Sequence, residues 1–404
     1  MSLAYDAPLF KTMYFRRTRR FPLGGEMPFK RAGLGYKSKE KPVPLNELET
    51  AILCFAASGM TGVTVEEIRH LLGHLTVIGR TTPSPCASLT LHLFFTNNDG
   101  VFYYKTRLPE EVIPKRRARM VTLKDREKIL EDYRKNLIKL KDGRLEIPDE
   151  AIGSAFQCFV NRPGTTIFIP IADTTREYIN MLLTGIIQFR WQLWDEVVDQ
   201  PAGVDEWVDN GFLDGAKITI AYYDAMLPWL CNLEAGMAMQ NMALAATAMG
   251  LGSFMMHTID LPTLMKLLGL RFEEVKGKGF PQATPNPVGI DGVLKGFCPP
   301  YRDIEKAVDE IAAIKWGPKG IYGPKGYNLP KVKAYDDIVE IAKAYCKYVY
   351  ETYGRIPKYS NAMYIPILMQ IHHVDIGFYD KFFPEYLNEI DRAHMSIWHP
   401  ELSK

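Results

Sequence analysis

The sequence carries a dense group of permanent cations near its start: Arg16, Arg17, Arg19 and Arg20, interrupted by Thr18. Guanidinium groups are planar, always protonated forks that grip phosphate oxygens in pairs, and a hydroxyl among them adds a further donor. The chemistry that fits is recognition of a phosphate, most simply that of a bound cofactor; a solvated patch or a docking site for an acidic partner would use the same residues. Two other stretches could approach a flat ring. Thr82-Pro83-Ser84-Pro85-Cys86-Ala87-Ser88 has small side chains that let backbone come close. Gly250-Leu251-Gly252-Ser253 follows an alanine-rich run and permits a similar approach from another side. Each has a plainer reading as well: Ser84 as a turn hydroxyl, the alanine-rich run as core, and the glycines as a helix stop.

Composition narrows the class. The chain has 404 residues, 47% of them hydrophobic, enough for a sizeable core and two or three domains. Lys plus Arg (49) nearly balances Asp plus Glu (47), which argues against nucleic acid or a membrane surface as partner. The balance is uneven along the chain, since residues 1–41 hold ten Lys or Arg against three Asp or Glu. A second basic knot is Lys115-Arg116-Arg117-Arg119. Six cysteines at 54, 86, 158, 231, 298 and 346 include no C-x-x-C pair, which fits free thiols in a cytoplasmic chain. No signal peptide is evident. Residues 235–259 carry no Asp, Glu, Lys or Arg, but Gln240, Asn241, Thr247 and Ser253 interrupt them, so a buried helix is expected rather than a membrane span.

The elements that must position these residues follow from periodicity. Helices are expected at 8–16, 45–57, 64–73, 123–141, 174–194, 228–249, 333–353 and 363–393. Strands are expected at 89–95, 101–104, 165–172 and 217–223, with Asn97-Asn98-Asp99-Gly100 joining the first two as a hairpin. A Gly/Pro-rich span covers 277–329. Strands and helices mix without regular alternation, which gives an α+β class.

Three segments together resemble the FMN-dependent nitroreductase superfamily, in particular its SagB-like branch. Arg16-Arg17-Thr18-Arg19-Arg20-Phe21 is similar to the family's Arg-Arg-Ser-x-Arg-type opening. Thr82–Ser88 is similar to its Pro-Ser-Ala-Gly loop, with Cys86 in place of the glycine, and Gly100–Tyr104 follows in kind. Gly236-Met237-Ala238-Met239-Gln240-Asn241-Met242 through Ser253 is similar to its central helix and Gly-Leu-Gly exit. The resemblance implies a mixed or antiparallel sheet flanked by helices and built around a long buried central helix. It implies FMN held by Arg16, Arg17, Thr18 and Arg19 at the phosphate, and by Pro83, Ser84, Pro85, Cys86, Ala87, Gly250, Leu251, Gly252 and Ser253 around the ring. It further implies a homodimer with flavin at the subunit interface, an NAD(P)H-type hydride donor and a small organic acceptor (nitro, quinone, enone or azoline). The cofactor carries such chemistry, so no catalytic side chain is assigned. The absence of G-x-G-x-x-G after a strand argues against a dedicated dinucleotide site.

The expected organisation is an arm (1–43), a flavin domain (44–329) and a C-terminal helical extension (330–404). The extension holds His372, His373, Asp375, Asp380, His394 and His399, and the aromatics Phe378, Tyr379, Phe382, Phe383 and Tyr386. With no H-E-x-x-H and no nearby cysteine, structural hydrogen bonding is expected of the histidines and no metal is assigned. The aromatics are expected to cover the sheet, a dimer mate or the cleft mouth. A flavin-binding protein without turnover, acting as sensor, store or scaffold, is the alternative function.

Overall fold

A computed structural model describes residues 6–28, 33, 35–65, 76–85, 88–105, 126–275, 285–316 and 334–402. The main sheet has seven antiparallel strands: β1 (Leu91–Asn97), β2 (Gly100–Tyr104), β3 (Leu137–Asp142), β4 (Thr166–Asp173), β5 (Leu251–Met256), β6 (Met363–Tyr364) and β7 (Leu368–His373). Their order is β5-β7-β4-β1-β2-β3, with β6 also on β4. Among the described residues, the helices of seven or more residues are α1 (Leu9–Phe15), α2 (Glu47–Ser58), α3 (Arg126–Asn136), α4 (Thr174–Phe189), α5 (Ile220–Met249), α6 (Leu261–Leu267), α7 (Ile304–Trp316), α8 (Ala334–Tyr353), α9 (Ile376–Phe382) and α10 (Glu389–Trp398). This is the α+β class expected, and none of these helices is long and apolar enough to cross a membrane.

The period of two along the strands divides the core. In β4, Ile167, Ile169 and Ile171 face one cluster with Phe94, Tyr103 and Phe254, while Phe168 faces the other with Phe95, Met369 and Ile371. Helix α5 lies on the second face. Its stripe Ala235, Ala238, Met239, Met242, Ala243 and Ala246 is fully buried, and the alanines let α2 pack close beside it. Helix α2 starts at a reciprocal cap in which Glu49 N–H donates to Asn46 Oδ1 and Asn46 N–H donates to Glu49 Oε2. A separate core joins α4, the first half of α5, α7 and α8.

Several expected elements differ. The strand expected at 217–223 stops at Thr219, whose hydroxyl accepts from Tyr222 N–H and starts α5 eight residues early; Ile220 and Tyr223, one turn apart, are then both buried. The β-branched and aromatic run is overridden by this cap and by burial. Helix 123–141 ends at Asn136, and Leu137–Asp142 pairs with β2 instead. The helix expected to reach 194 ends at Phe189, where Arg190 adopts φ 48° and Trp191 folds back over Gly185, within 2.1 Å of where a Cβ would stand. Thr64 and Val65 belong to the strand Met60–Val65; the rest of the helix expected there lies outside the described residues, as do the Lys115–Arg119 knot and the glycines of 317–326. The largest difference is in the tail. Residues 363–393 are not one helix, because β7 runs through them between β5 and β4 in the middle of the sheet.

Candidate functional site

The N-terminal arm lies against the exit of α5. Thr18 bridges Ser253 in parallel, Arg19 N–H donates to Ser253 O at 3.3 Å, and Arg19 Nη2 donates to Leu251 O at 2.8 Å. The expected cation group and the expected glycine exit are thus neighbours. The four arginines are not equivalent, however. Arg19 is 1% exposed and its Nη1 sits 2.5 Å from Asp391 Oδ1, a carboxylate as buried as itself. Arg17 donates to the carbonyls of Tyr14 and Arg16. Arg20 lies over the rings of Phe156 and Phe254. The Arg16 side chain has no hydrogen bond or ion pair among the described residues. A cavity of about 460 Å³ opens beyond this segment, lined by Pro22, Gly24, Gly25, Gln157, Cys158 and Arg162.

The glycine exit is covered by the chain itself. Gly250 ends α5 at φ +87°, and a Cβ there would stand 2.8 Å from Ile390 O. At Gly252 a Cβ would meet His372 Nε2 at 2.9 Å and Arg19 O at 3.2 Å. Leu251, Gly252 and Ser253 are buried within β5, opposite His373, His372 and Ile371. The close approach these glycines allow is used by the arm, β7 and α10.

The Pro83-Ser84-Pro85 loop rests on an earlier part of α5. Ser84 Oγ donates to Glu234 Oε2 at 2.9 Å and accepts from Leu89 N–H at 2.8 Å. Thr90 gives the same carboxylate oxygen both its N–H and its hydroxyl. Asn241 Nδ2 donates to Thr81 O, and Arg176 Nε to Ser88 O at 2.7 Å. Burial raises the pKa of Glu234, partly offset by these donors. Burial also raises that of Glu177 to about 8; a hydrogen bond with Ser88 opposes the shift and the Glu234 charge adds to it. Cys86 and Ala87 lie outside the described residues. Along α5, Asn241 is nine residues and Glu234 sixteen residues before Gly250, roughly 14 and 24 Å at 1.5 Å per residue. One chain therefore brings the arm and the exit together and holds the loop about 14 to 24 Å back along α5, at Asn241 and Glu234.

The tail completes the surroundings. Phe378 stacks on Phe21 at 4.2 Å, and Tyr379 accepts Phe21 N–H, so the aromatic face of α9 packs on the arm. His372 is buried, and among the described residues neither of its ring nitrogens is hydrogen-bonded. His373, His394, His399 and Glu49 form a buried cluster beneath α10.

A profile of the nitroreductase family matches residues 40–277, more than half of the chain. The chain belongs to the nitroreductase family. A crystal structure of a candidate nitroreductase from Ralstonia eutropha JMP134 is similar at 16% identity, covering 65% of this chain and 76% of that one with a TM-score of 0.31. No curated protein matches. Membership in the nitroreductase family points to flavin-dependent oxidoreduction. The matched range contains α2, β1 to β5, α5 and the Pro83 loop, whereas the arm precedes it and β6, β7, α9 and α10 follow it.

Sequence reasoning missed Glu234, Arg176 and Glu177, which anchor the loop, and Asp391, which neutralises Arg19. Glu234 had a usable signal: it is the one charged residue between Asp224 and Asp260. Nothing in the spacing of Arg19 and Asp391, 372 positions apart, marks them as partners.

Proposed function

We propose that this nitroreductase-family chain is an FMN-dependent oxidoreductase that takes hydride from a nicotinamide-type donor and passes electrons to a small organic acceptor. The observation that carries this reading is the arm annealed to the α5 exit with the Arg16 side chain unpaired among the described residues, Arg17 engaged by carbonyls and the Tyr14 ring, and Thr18 exposed. These residues fit a phosphate in part. Arg16 and Arg17 offer charge that no carboxylate among the described residues neutralises, and Thr18 offers its hydroxyl. Arg19, Gly250, Leu251, Gly252 and Ser253 hold the arm in place instead of lining the cofactor.

Bound FMN supplies two-electron acceptance and donation. The chain's own contribution is positioning. Glu234 holds Ser84 and Arg176 holds Ser88, and the small residues of the sequence between them suit close approach to a flat ring. Because that loop and the arm are far apart along α5, we place the arm of one protomer opposite the loop of its partner in a homodimer. Two surfaces support this arrangement: Leu9, Phe10, Met13 and Tyr14 on α1, with Phe10 84% exposed, and Tyr222, Trp229 and Leu233 on α5, with Trp229 61% exposed. Single large apolar side chains are ordinary at a surface, but grouped ones mark contacts.

The test is anaerobic addition of NADH or NADPH to purified protein while following the visible flavin band. Bleaching, then recovery on adding a quinone or nitroaromatic, supports the enzyme. A yellow protein that stays oxidised with both donors refutes turnover and leaves a flavin-binding protein.

A further inference from the structure

Glu49, His373, His394 and His399 come from four separate places: the first turn of α2, the end of β7, the last turns of α10, and the residue after it. All four are buried, and one donor atom from each lies within 4.8 Å of every other. Glu49 Oε1 is 3.1 Å from His394 Nε2, Glu49 Oε2 is 3.2 Å from His399 Nε2, and His373 Nδ1 is 2.9 Å from His394 Nε2.

The outward nitrogens decide what the inward ones can be. His394 Nδ1 is 2.6 Å from Met249 O, and His373 Nε2 is 3.2 Å from Pro44 O and 3.9 Å from Glu49 Oε2. A carbonyl only accepts, so both of these nitrogens carry their proton. In neutral rings, His394 Nε2 and His373 Nδ1 then turn lone pair on lone pair, and His394 Nε2 also faces the Glu49 carboxylate. His399 Nε2 lies 3.2 Å from Glu49 Oε2, with Nδ1 3.5 Å from Glu401; with its proton on Nδ1 it turns a third lone pair into the cluster. A positive centre among these atoms removes the repulsions at His394 Nε2 and His373 Nδ1. Outer carbonyl and carboxylate partners that fix the ring tautomer are the usual second layer around metal-bound histidine. Metal–ligand bonds of about 2.0–2.1 Å arranged tetrahedrally put donors about 3.3–3.4 Å apart; three of the six donor pairs lie at 2.9–3.2 Å and the others within 4.8 Å, so a small inward shift of the wider pairs completes the geometry.

We propose that Glu49, His373, His394 and His399 form a closed four-coordinate site for a divalent first-row transition metal, zinc foremost. Three imidazoles and one carboxylate suit that class. With four protein donors no position is left for substrate, so the metal is structural. It ties the tail to α2 and β7 and thereby fixes α10, whose Asp391 holds Arg19. The site is independent of the flavin reading.

The test uses the full chain purified from zinc-supplemented growth, freed of loose metal, with metal measured by mass spectrometry. About one zinc per chain is expected, falling to near none in Glu49→Gln and His399→Ala. Replacement by Co²⁺ in the wild-type chain should give the intense visible bands of four-coordinate cobalt, and a strong chelator should lower the wild-type melting temperature. The last two measurements need no variant to fold. Stoichiometric iron or manganese in place of zinc upholds the site. A folded wild-type chain with no metal, no cobalt bands and a melting temperature indifferent to zinc and chelator means that a shared proton occupies the cluster, and overturns the proposal.

Discussion

Arg19 and Asp391 are the pair on which the position of the arm depends. Their side chains are 1% and 0% exposed, and they meet at 2.5 Å. Asp391 Oδ2 also accepts Asn388 N–H at the start of α10, but Oδ1 faces only the guanidinium. Replacing Arg19 by Met leaves a buried carboxylate without its counter-charge; Asp391→Asn leaves a buried guanidinium and keeps the cap on Asn388. Removing one partner of a buried pair costs about 3–5 kcal/mol. That is a large part of the roughly 5–15 kcal/mol by which domains are stable. The double variant has no orphaned charge, so its loss should fall short of the sum of the singles by about 2 kcal/mol or more. Urea unfolding of the four proteins, at unchanged m value, gives the cycle. If both single variants lie within about 1 kcal/mol of wild type, as exposed pairs do, the pair is not what secures the arm.

Three further outcomes are expected. Glu177 releases its proton near its ordinary 4.5 when unfolded and near 8 when folded, so its contribution to stability falls as pH rises between those values. Glu177→Gln should therefore match wild type near the acid end and exceed it by up to a few kcal/mol near the other; parallel stability curves across that range would contradict this. Gly250→Ala combines a left-handed backbone with a Cβ 2.8 Å from Ile390 O, and thermal melting should show a loss of more than about 1 kcal/mol. An unchanged melting temperature would mean that α10 does not press on this turn. Phe10→Asp and Trp229→Asp should shift the chain from dimer to monomer by light scattering, and an unaltered mass in both would place the interface elsewhere.

Much of the sheet was legible because its central strands are long apolar runs with turn residues between them. Thr166–Asp173 and the Asn97–Gly100 hairpin show this, with Asn97 Oδ1 accepting the turn N–H groups of Asp99 and Gly100. Strand β7 was not legible. Its residues Leu368–His373 sit between two helix-like stretches, and only pairing with β5 and β4 selects an extended backbone. The charges around the site show the same limit. Four nearby arginines signalled an anion site from local density alone. That Arg19 belongs to Asp391 while the Arg16 side chain is unpaired among the described residues depends on which side of the chain faces α10, and no local pattern encodes it. The histidines of the tail were visible as a group, but Glu49 was not among them, and without its carboxylate the three rings gave no reason to expect a cation.

The most direct measurement is the identity and amount of cofactor released when pure protein is denatured. The account predicts FMN by mass, about one per chain, with occupancy falling in Arg16→Ala and Arg17→Ala while both variants stay folded. A chain that yields no flavin and takes up none on reconstitution with FMN, or full occupancy in both variants, would contradict it.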